Sequence, residues 1–219
     1  MIIQYYGHSC FKITTKPAGR GQDDVTMFID PFDKAIGLRP PQGQADLVLV
    51  THDHHDHNNV EAIKGEPYII DIPGEYSVKG VNIVGMKTFH DKKEGAERGA
   101  NTIYILETEE LRICHMGDLG HSLSEKELEA INGVNILMIP IGGKYTLDGK
   151  EAVDIIKKIE PEIVIPIHYK ISGSTVDVDD EKKFCKEIGN CPKEKVTKIN
   201  IKKKDLEGKS MEVILMGVE

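Results

Sequence analysis

Six consecutive residues, His52-Asp53-His54-His55-Asp56-His57, place four imidazoles and two carboxylates directly after a short apolar run, Leu47-Val48-Leu49-Val50. Imidazole nitrogens and carboxylate oxygens are the donors that divalent cations take from proteins. Burying so many titratable groups is costly unless something pairs with them, and a cation does so. The apolar run is what a strand covered on both faces requires. Side chains alternate in an extended segment, so His52 and His54 can turn to one side and grip one ion. Asp56 and His57 follow as the chain turns and can reach a second ion beside the first. A solvated histidine-rich tract is the alternative, but such tracts lie in tails or loose loops rather than at the end of a buried strand.

Three further candidate ligands, His90, Asp118 and His168, each sit just past a predicted strand. In layered α/β folds, side chains at strand ends project into a common crevice. This suggests a dinuclear assignment, with His52, His54 and His90 on the first ion, Asp56, His57 and His168 on the second, and Asp118 bridging them. That count leaves a position for a shared water or hydroxide, as hydrolytic chemistry requires. Zn2+ and Mn2+ are not separable by such an oxygen- and imidazole-rich set.

The cluster, preceded by Thr51, resembles the H-x-H-x-D-H signature of the metallo-β-lactamase superfamily, and His90, Asp118 and His168 match that family's later ligand positions. The likeness runs from residue 7 to 170. The surrounding words Gly7-His8-Ser9, His115-Met116-Gly117-Asp118-Leu119-Gly120-His121, Ile141-Gly142-Gly143 and Pro166-Ile167-His168-Tyr169 resemble a branch of bacterial and archaeal metal-dependent hydrolases. That branch is similar to ascorbate-6-phosphate lactonases and, more distantly, to phospholipase-D-type enzymes acting on N-acyl phosphatidylethanolamine. The resemblance implies a four-layer αββα sandwich and hydrolysis of a lactone or a phosphodiester. Asp118 stands where the antibiotic-hydrolysing enzymes carry cysteine, so antibiotic hydrolysis is not the expected role. A metal-binding protein with a sensory or scaffolding role is the alternative.

The elements that must position these residues follow from the pattern. Ile2–Tyr6, Cys10–Thr14 and Val25–Ile29 read as a β-meander, with a polar loop, Lys16–Asp24, before its third strand. A short asparagine-capped helix is expected over Asn58–Lys64, and strands over Pro67–Ile70 and Val81–Phe89. The charged loop Lys92–Ala100 is expected to be mobile. Asn101–Glu107 and Leu111–His115 form a predicted hairpin. The segment Ser124–Ile131 carries a capping-box pattern, and Asp148–Ile159 and Asp179–Ile188 are the other predicted helices. Asn135–Ile139 and Ile163–Ile167 are buried strands, and Val196–Ile201 and Met211–Met216 a closing hairpin around the basic turn Lys202–Lys204. No repeat or linker interrupts the chain, so one domain over residues 1–219 is the expectation.

Around the ligands, Asp56, His8, Lys144 and Tyr145 are the candidate catalytic residues. Asp56 would orient the water and take up a proton, and the other three would stabilise an oxyanion or an anionic substituent. His8, at a strand break, reads equally as a support for the site or as a substrate contact. Asp30 and His121 are candidates to orient ligands from outside. His55 is expected to face away from the ions, and His115 to be buried and hydrogen-bonded. Arg98 is a candidate anion contact.

Composition agrees with one domain of ordinary globular make-up. The chain has 219 residues, 39% hydrophobic and 29% charged, with no tryptophan, so aliphatic side chains must supply the packing. A net charge of −8 argues against a broad nucleic-acid footprint, while the resemblance and the candidate anion contacts make a small anionic molecule the expected partner. No signal peptide or membrane span is expected, which places the protein in the cytoplasm with its cysteines as reduced thiols. A metal or redox role for Cys185 and Cys191 is the minor reading, and homo-oligomerisation is left open.

Overall fold

The computed structural model describes residues 1–16 and 23–218. Its elements in chain order are β1 (Ile2–Gly7), β2 (Cys10–Thr15), β3 (Val25–Ile29), β4 (Gly43–Gln44), β5 (Leu47–Leu49), β6 (Ile63–Lys64), β7 (Tyr68–Ile70), β8 (Gly74–Val78) and β9 (Val81–Phe89), continuing with β10 (Ala100–Thr108), β11 (Leu111–His115), α1 (Glu125–Ile131), β12 (Ile136–Pro140), α2 (Gly149–Ile159), β13 (Ile163–Ile167), α3 (Glu181–Ile188), β14 (Lys198–Asn200) and β15 (Glu212–Val213). The polar loop expected before β3 falls largely outside the described residues.

Two sheets face each other. One has the order β14-β1-β2-β3-β5-β7 and the other β15-β13-β12-β11-β10-β9-β8. In the first, β1, β2 and β3 form the expected antiparallel meander, and β5 and β7 continue it in parallel. In the second, β8 to β11 are antiparallel, and β12, β13 and β15 extend β11 in parallel. Parallel neighbours point their C-terminal ends the same way, which is why the ligand-bearing ends of β5, β11 and β13 gather at one edge.

Aliphatic side chains fill the space between the sheets, among them Ile3, Ile13, Met27 and Leu49 from one and Leu106, Ile136, Met138 and Ile165 from the other. The outer face of the second sheet is covered by the helices. The α2 helix buries Ala152, Val153, Ile155, Ile156 and Ile159 on one side, the stripe that its 3.6-residue period predicts. Both α1 and α2 start in a capping box, at Ser124 with Glu127 and at Asp148 with Glu151. The outer face of the first sheet is covered by a thinner layer, where Phe32, Ile36 and Ile63 pack on Phe28, Val48 and Val50. The αββα order therefore holds, with 3-10 turns in place of α-helices on that side.

Four expectations change here. The segment 58–64 is a 3-10 turn, Val60–Ala62, followed by β6; Asn59 makes no capping bond and donates its side-chain amide to Phe32 O instead. Ile63 and Lys64 are extended to pair with Gly43 and Gln44, which leaves room for only a single turn before them. Gly74–Val78, a segment for which no element was expected, is an edge strand hairpinned onto β9. The closing strands do not pair with each other as a hairpin. Instead β14 lies antiparallel to β1 in the first sheet and β15 parallel to β13 in the second, each satisfying a separate sheet edge. Finally, Cys185 and Cys191 form a disulfide, with Cα atoms 5.3 Å apart. Gly189, left-handed at the α3 C-cap, turns the chain back and brings the two together. Cys10 and Cys114 are free and buried. Among the described residues no helix is long and apolar enough to cross a membrane.

A buried polar contact ties the two sheets behind the site. The hydroxyl of Tyr104, on β10, shares its proton between Val50 O at 2.9 Å and Ile70 O at 3.0 Å, just behind the start of the histidine cluster. Tyr104 is fully buried. Tyr104→Phe is expected to lower stability by about 1–3 kcal/mol, because it strips two buried carbonyls of a donor. Urea unfolding measures this, and an unchanged midpoint would contradict it.

Candidate metal centre

The strand ends bring the donors together around one carboxylate oxygen. Asp118 Oδ2 lies 3.1 Å from His90 Nε2, 3.1 Å from His168 Nε2, 3.3 Å from His57 Nε2 and 4.0 Å from His52 Nε2. His54 groups with His52 and His90, while Asp56 groups with His8, His57 and His168. All seven ligands expected from the sequence are thus brought together, and His8 joins them. His8, His52, His57, His90, Asp118 and His168 are buried.

Contacts behind the rings decide which nitrogens face inward. Asp30 accepts from Thr51 N at 2.8 Å and Thr51 Oγ1 at 2.8 Å, and its Oδ2 also takes the His57 Nδ1 proton at 2.9 Å. With its proton given to Asp30, the Thr51 hydroxyl accepts from His52 Nδ1 at 3.0 Å. His90 Nδ1 donates to Tyr145 O at 3.0 Å. The Nε2 atoms of His52 and His90 are then bare lone pairs on the side of the Asp118 carboxylate. The His52 Nε2 atom is buried with no hydrogen-bond partner at all. Lone pairs crowded on an anionic oxygen repel unless positive charge lies between them, so the donor set fits divalent cations.

The electrostatics make the same demand. Burial lowers the His52 imidazole well below its ordinary range. Burial and the neighbouring His168 bring His8 down to about 4, so both rings are unprotonated near neutrality. Burial works to raise Asp118, but His168 and His57 more than reverse it and hold the carboxyl well below the usual range. At His57, burial opposes charging, yet Asp118 and Asp30 on either side raise its pKa well above the ordinary value. The centre calls for a positive charge at that point.

Backbone geometry supports the placement. Asp30, His8 and His168 are left-handed, with φ of 50°, 57° and 49°. Such values are uncommon for side-chain-bearing residues and gather at functional sites. Gly117, at φ +54°, lets the chain turn from β11 to Asp118, and a Cβ there would lie 2.5 Å from Asn101 Oδ1. A Cβ on Gly142 would lie 2.1 Å from His168 O, so only glycine lets that loop pass under the last ligand.

The remaining residues from the sequence reading separate clearly. Asp56 and Tyr145 border the pocket over the centre, about 290 Å³, together with His55 and Arg98. Lys144 does not; it pairs with Asp177 instead. His115 is buried, its Nε2 on Ser9 O and its Nδ1 accepting from Gly117 N. His121 accepts from Phe89 N, steadying the strand end before His90 from outside the donor set.

Sequence reading missed two supports. Asn101 Oδ1 accepts from Asp118 N at 2.9 Å. The Asp91 carboxylate accepts four backbone N–H bonds, from Lys93, Gly95, Glu97 and Arg98, at 2.7–3.0 Å. The loop expected to be mobile is therefore wound around a carboxylate adjacent to His90, and Arg98 stacks its guanidinium 4.6 Å over the Tyr145 ring. An aspartate followed by a glycine-bearing polar stretch was the available signal. Asp91→Ala is expected to raise KM for anionic substrates about tenfold with metal content unchanged, because binding must then order the loop. An unchanged KM would argue against this coupling.

Fold and donor set together place a cluster of histidine and aspartate donors able to hold metal at the edge of a β-sandwich. A family model for the β-lactamase superfamily domain matches residues 2–168. The chain belongs to the metallo-β-lactamase superfamily. It is 28% identical to a UPF0173 metal-dependent hydrolase of Methanopyrus kandleri, over 86% of this chain and 91% of that one. A UPF0173 protein of Pyrococcus abyssi is 32% identical over 79% of this chain and 85% of its own. A crystal structure from the same superfamily, from Thermotoga maritima, superposes with a TM-score of 0.77 at 31% identity, covering 100% of this chain and 99% of that one. The narrower likeness to ascorbate-6-phosphate lactonases is not carried by these matches.

Proposed function

We propose that the protein is a metal-dependent hydrolase acting on a small anionic substrate, a lactone or a phosphodiester. The observation that carries this reading is the convergence of four histidine Nε2 atoms on Asp118 Oδ2 at the floor of an open pocket. The relatives named as metal-dependent hydrolases support it. His52, His54 and His90 would hold one ion, Asp56, His57 and His168 a second, and Asp118 both. When bound, Zn2+ or Mn2+ there would bring a water's pKa near neutrality and polarise a carbonyl or phosphoryl oxygen.

The chain's own groups supply the rest. Asp56 borders the pocket, with a carboxylate placed to accept the proton of an attacking water. Arg98 lines this pocket and also an adjoining groove of about 520 Å³ that reaches Lys87. Held over Tyr145, its guanidinium can pair with a phosphate or carboxylate while the reacting bond lies over the centre. Asp53 and Asp71 share that groove and would disfavour a polyanion, in keeping with a small substrate rather than nucleic acid.

The test is hydrolysis of an aryl phosphodiester and of a phosphorylated sugar lactone by Zn2+- and Mn2+-loaded protein, with Asp118→Ala as control. Turnover of one substrate that vanishes in the variant supports the reading and selects the chemistry. Turnover that persists in the variant, or none on either substrate with two ions bound, overturns it.

A further inference from the structure

His8 was expected to support the site or to touch substrate, and its position fits neither role well. It is 3% exposed and does not border the pocket over the centre. Its Nε2 lies 3.1 Å from His57 Nε2 and 3.1 Å from Asp56 Oδ2. The donor atoms of His8, Asp56, His57 and His168 all lie within 4.8 Å of one another. Two donors held by one ion at about 2.0–2.2 Å stand about 3 Å apart when adjacent and just over about 4 Å when opposite. The separations around His8 are those of neighbouring donors on a common ion.

The backbone holds His8 in that place. Its left-handed conformation is kept by two donors to its carbonyl, Tyr5 Oη at 2.8 Å and His168 N at 2.9 Å. The second of these ties His8 directly to another ligand of the same group. The ring packs against His168 and His57, with centroids 4.4 Å and 4.8 Å away.

We infer that His8 is a ligand of the second ion, an eighth donor residue in the centre. This rests on the dinuclear reading above. The two halves of the centre then differ. The first has His52, His54, His90 and the shared Asp118, a set of the size that zinc takes. The second has His8, Asp56, His57, His168 and the shared Asp118. A fifth protein donor exceeds a four-coordinate zinc site and suits an ion that takes six ligands, such as Mn2+ or Fe2+.

The test loads metal-free protein with Co2+ and with Mn2+, measures stoichiometry and affinity, and counts the paramagnetically shifted imidazole N–H signals of the Co2+ form. His8→Asn is the variant, because asparagine tolerates the left-handed conformation but is too short to reach. The expected result is two ions in the wild type and six imidazole signals. In the variant one signal disappears, Mn2+ binding at one of the two sites falls at least about tenfold, and the other site is unchanged. Two ions with five signals in the wild type, or unchanged Mn2+ affinity in a folded variant, would overturn the role of His8 and leave the dinuclear reading intact. A wild type that binds a single ion would overturn both. The signal count in the wild type decides the matter even if the variant does not fold.

Discussion

Asp118→Ala is expected to abolish hydrolysis and to empty most of the metal centre in a single step. Its Oδ2 lies within 3.3 Å of the His90, His168 and His57 nitrogens at once, and no other carboxylate among the described residues does so. Without it, the imidazole lone pairs face each other around a void, and two cations would repel across it with no anion between them. Several kcal/mol of transition-state stabilisation depend on the ions, so activity should fall by at least about 10³-fold. Metal analysis of the purified variant should show one ion or fewer per chain. The fold should survive, since Asp118 is anchored by its backbone N–H on Asn101 and the core lies elsewhere. Wild-type metal content in the variant would refute the bridging role.

Asp30→Ala comes second in expected size, and for a different reason. Asp30 would touch no ion. Its two carboxylate oxygens collect Thr51 N, Thr51 Oγ1 and His57 Nδ1 in a fully buried position. Alanine would leave those donors unpaired, release the His57 ring and, through Thr51, the His52 ring. Stability of the metal-free protein should fall by about 3–5 kcal/mol, the cost of breaking a buried charged pair by removing one partner. Metal affinity should fall about 10–100-fold, as when ligand-orienting groups are lost. Asp30→Asn should keep more stability but recover little affinity, because its amide NH2 would face the donors that the carboxylate accepted. Calorimetric unfolding and metal titration separate the two effects. A variant with lowered stability but wild-type affinity would mean that Asp30 holds the loop without orienting the ligands.

Much of the centre was legible in the chain because a buried parallel strand and a metal ligand each leave a mark in sequence. Leu47–Leu49 and Ile163–Ile167 are continuous apolar runs, and a histidine soon after such a run has few reasons to be there other than coordination. The capping box at Ser124 is equally local, so that helix start could be placed to the residue, and the apolar spacing of Asp148–Ile159 placed the second helix. Features that rest on the conformation of irregular loops left weaker marks. The Asp91 carboxylate, the Cys185–Cys191 bond and the pairing of Lys144 with Asp177 all depend on how loops fold back, which pattern and spacing do not encode.

By itself, then, the sequence pointed to seven residues that the fold gathers, the strands that end at them and the superfamily, because side-chain type and short-range periodicity are properties of neighbouring residues. Only the tertiary structure decided which nitrogen of each histidine faces inward. It also decided that β14 and β15 part to opposite sheets and that His8, 44 residues before the histidine cluster, enters the donor set. These outcomes depend on partners remote in sequence: Asp30 behind His57, the two open sheet edges, and the Tyr5 hydroxyl and His168 amide that hold His8 in a left-handed turn.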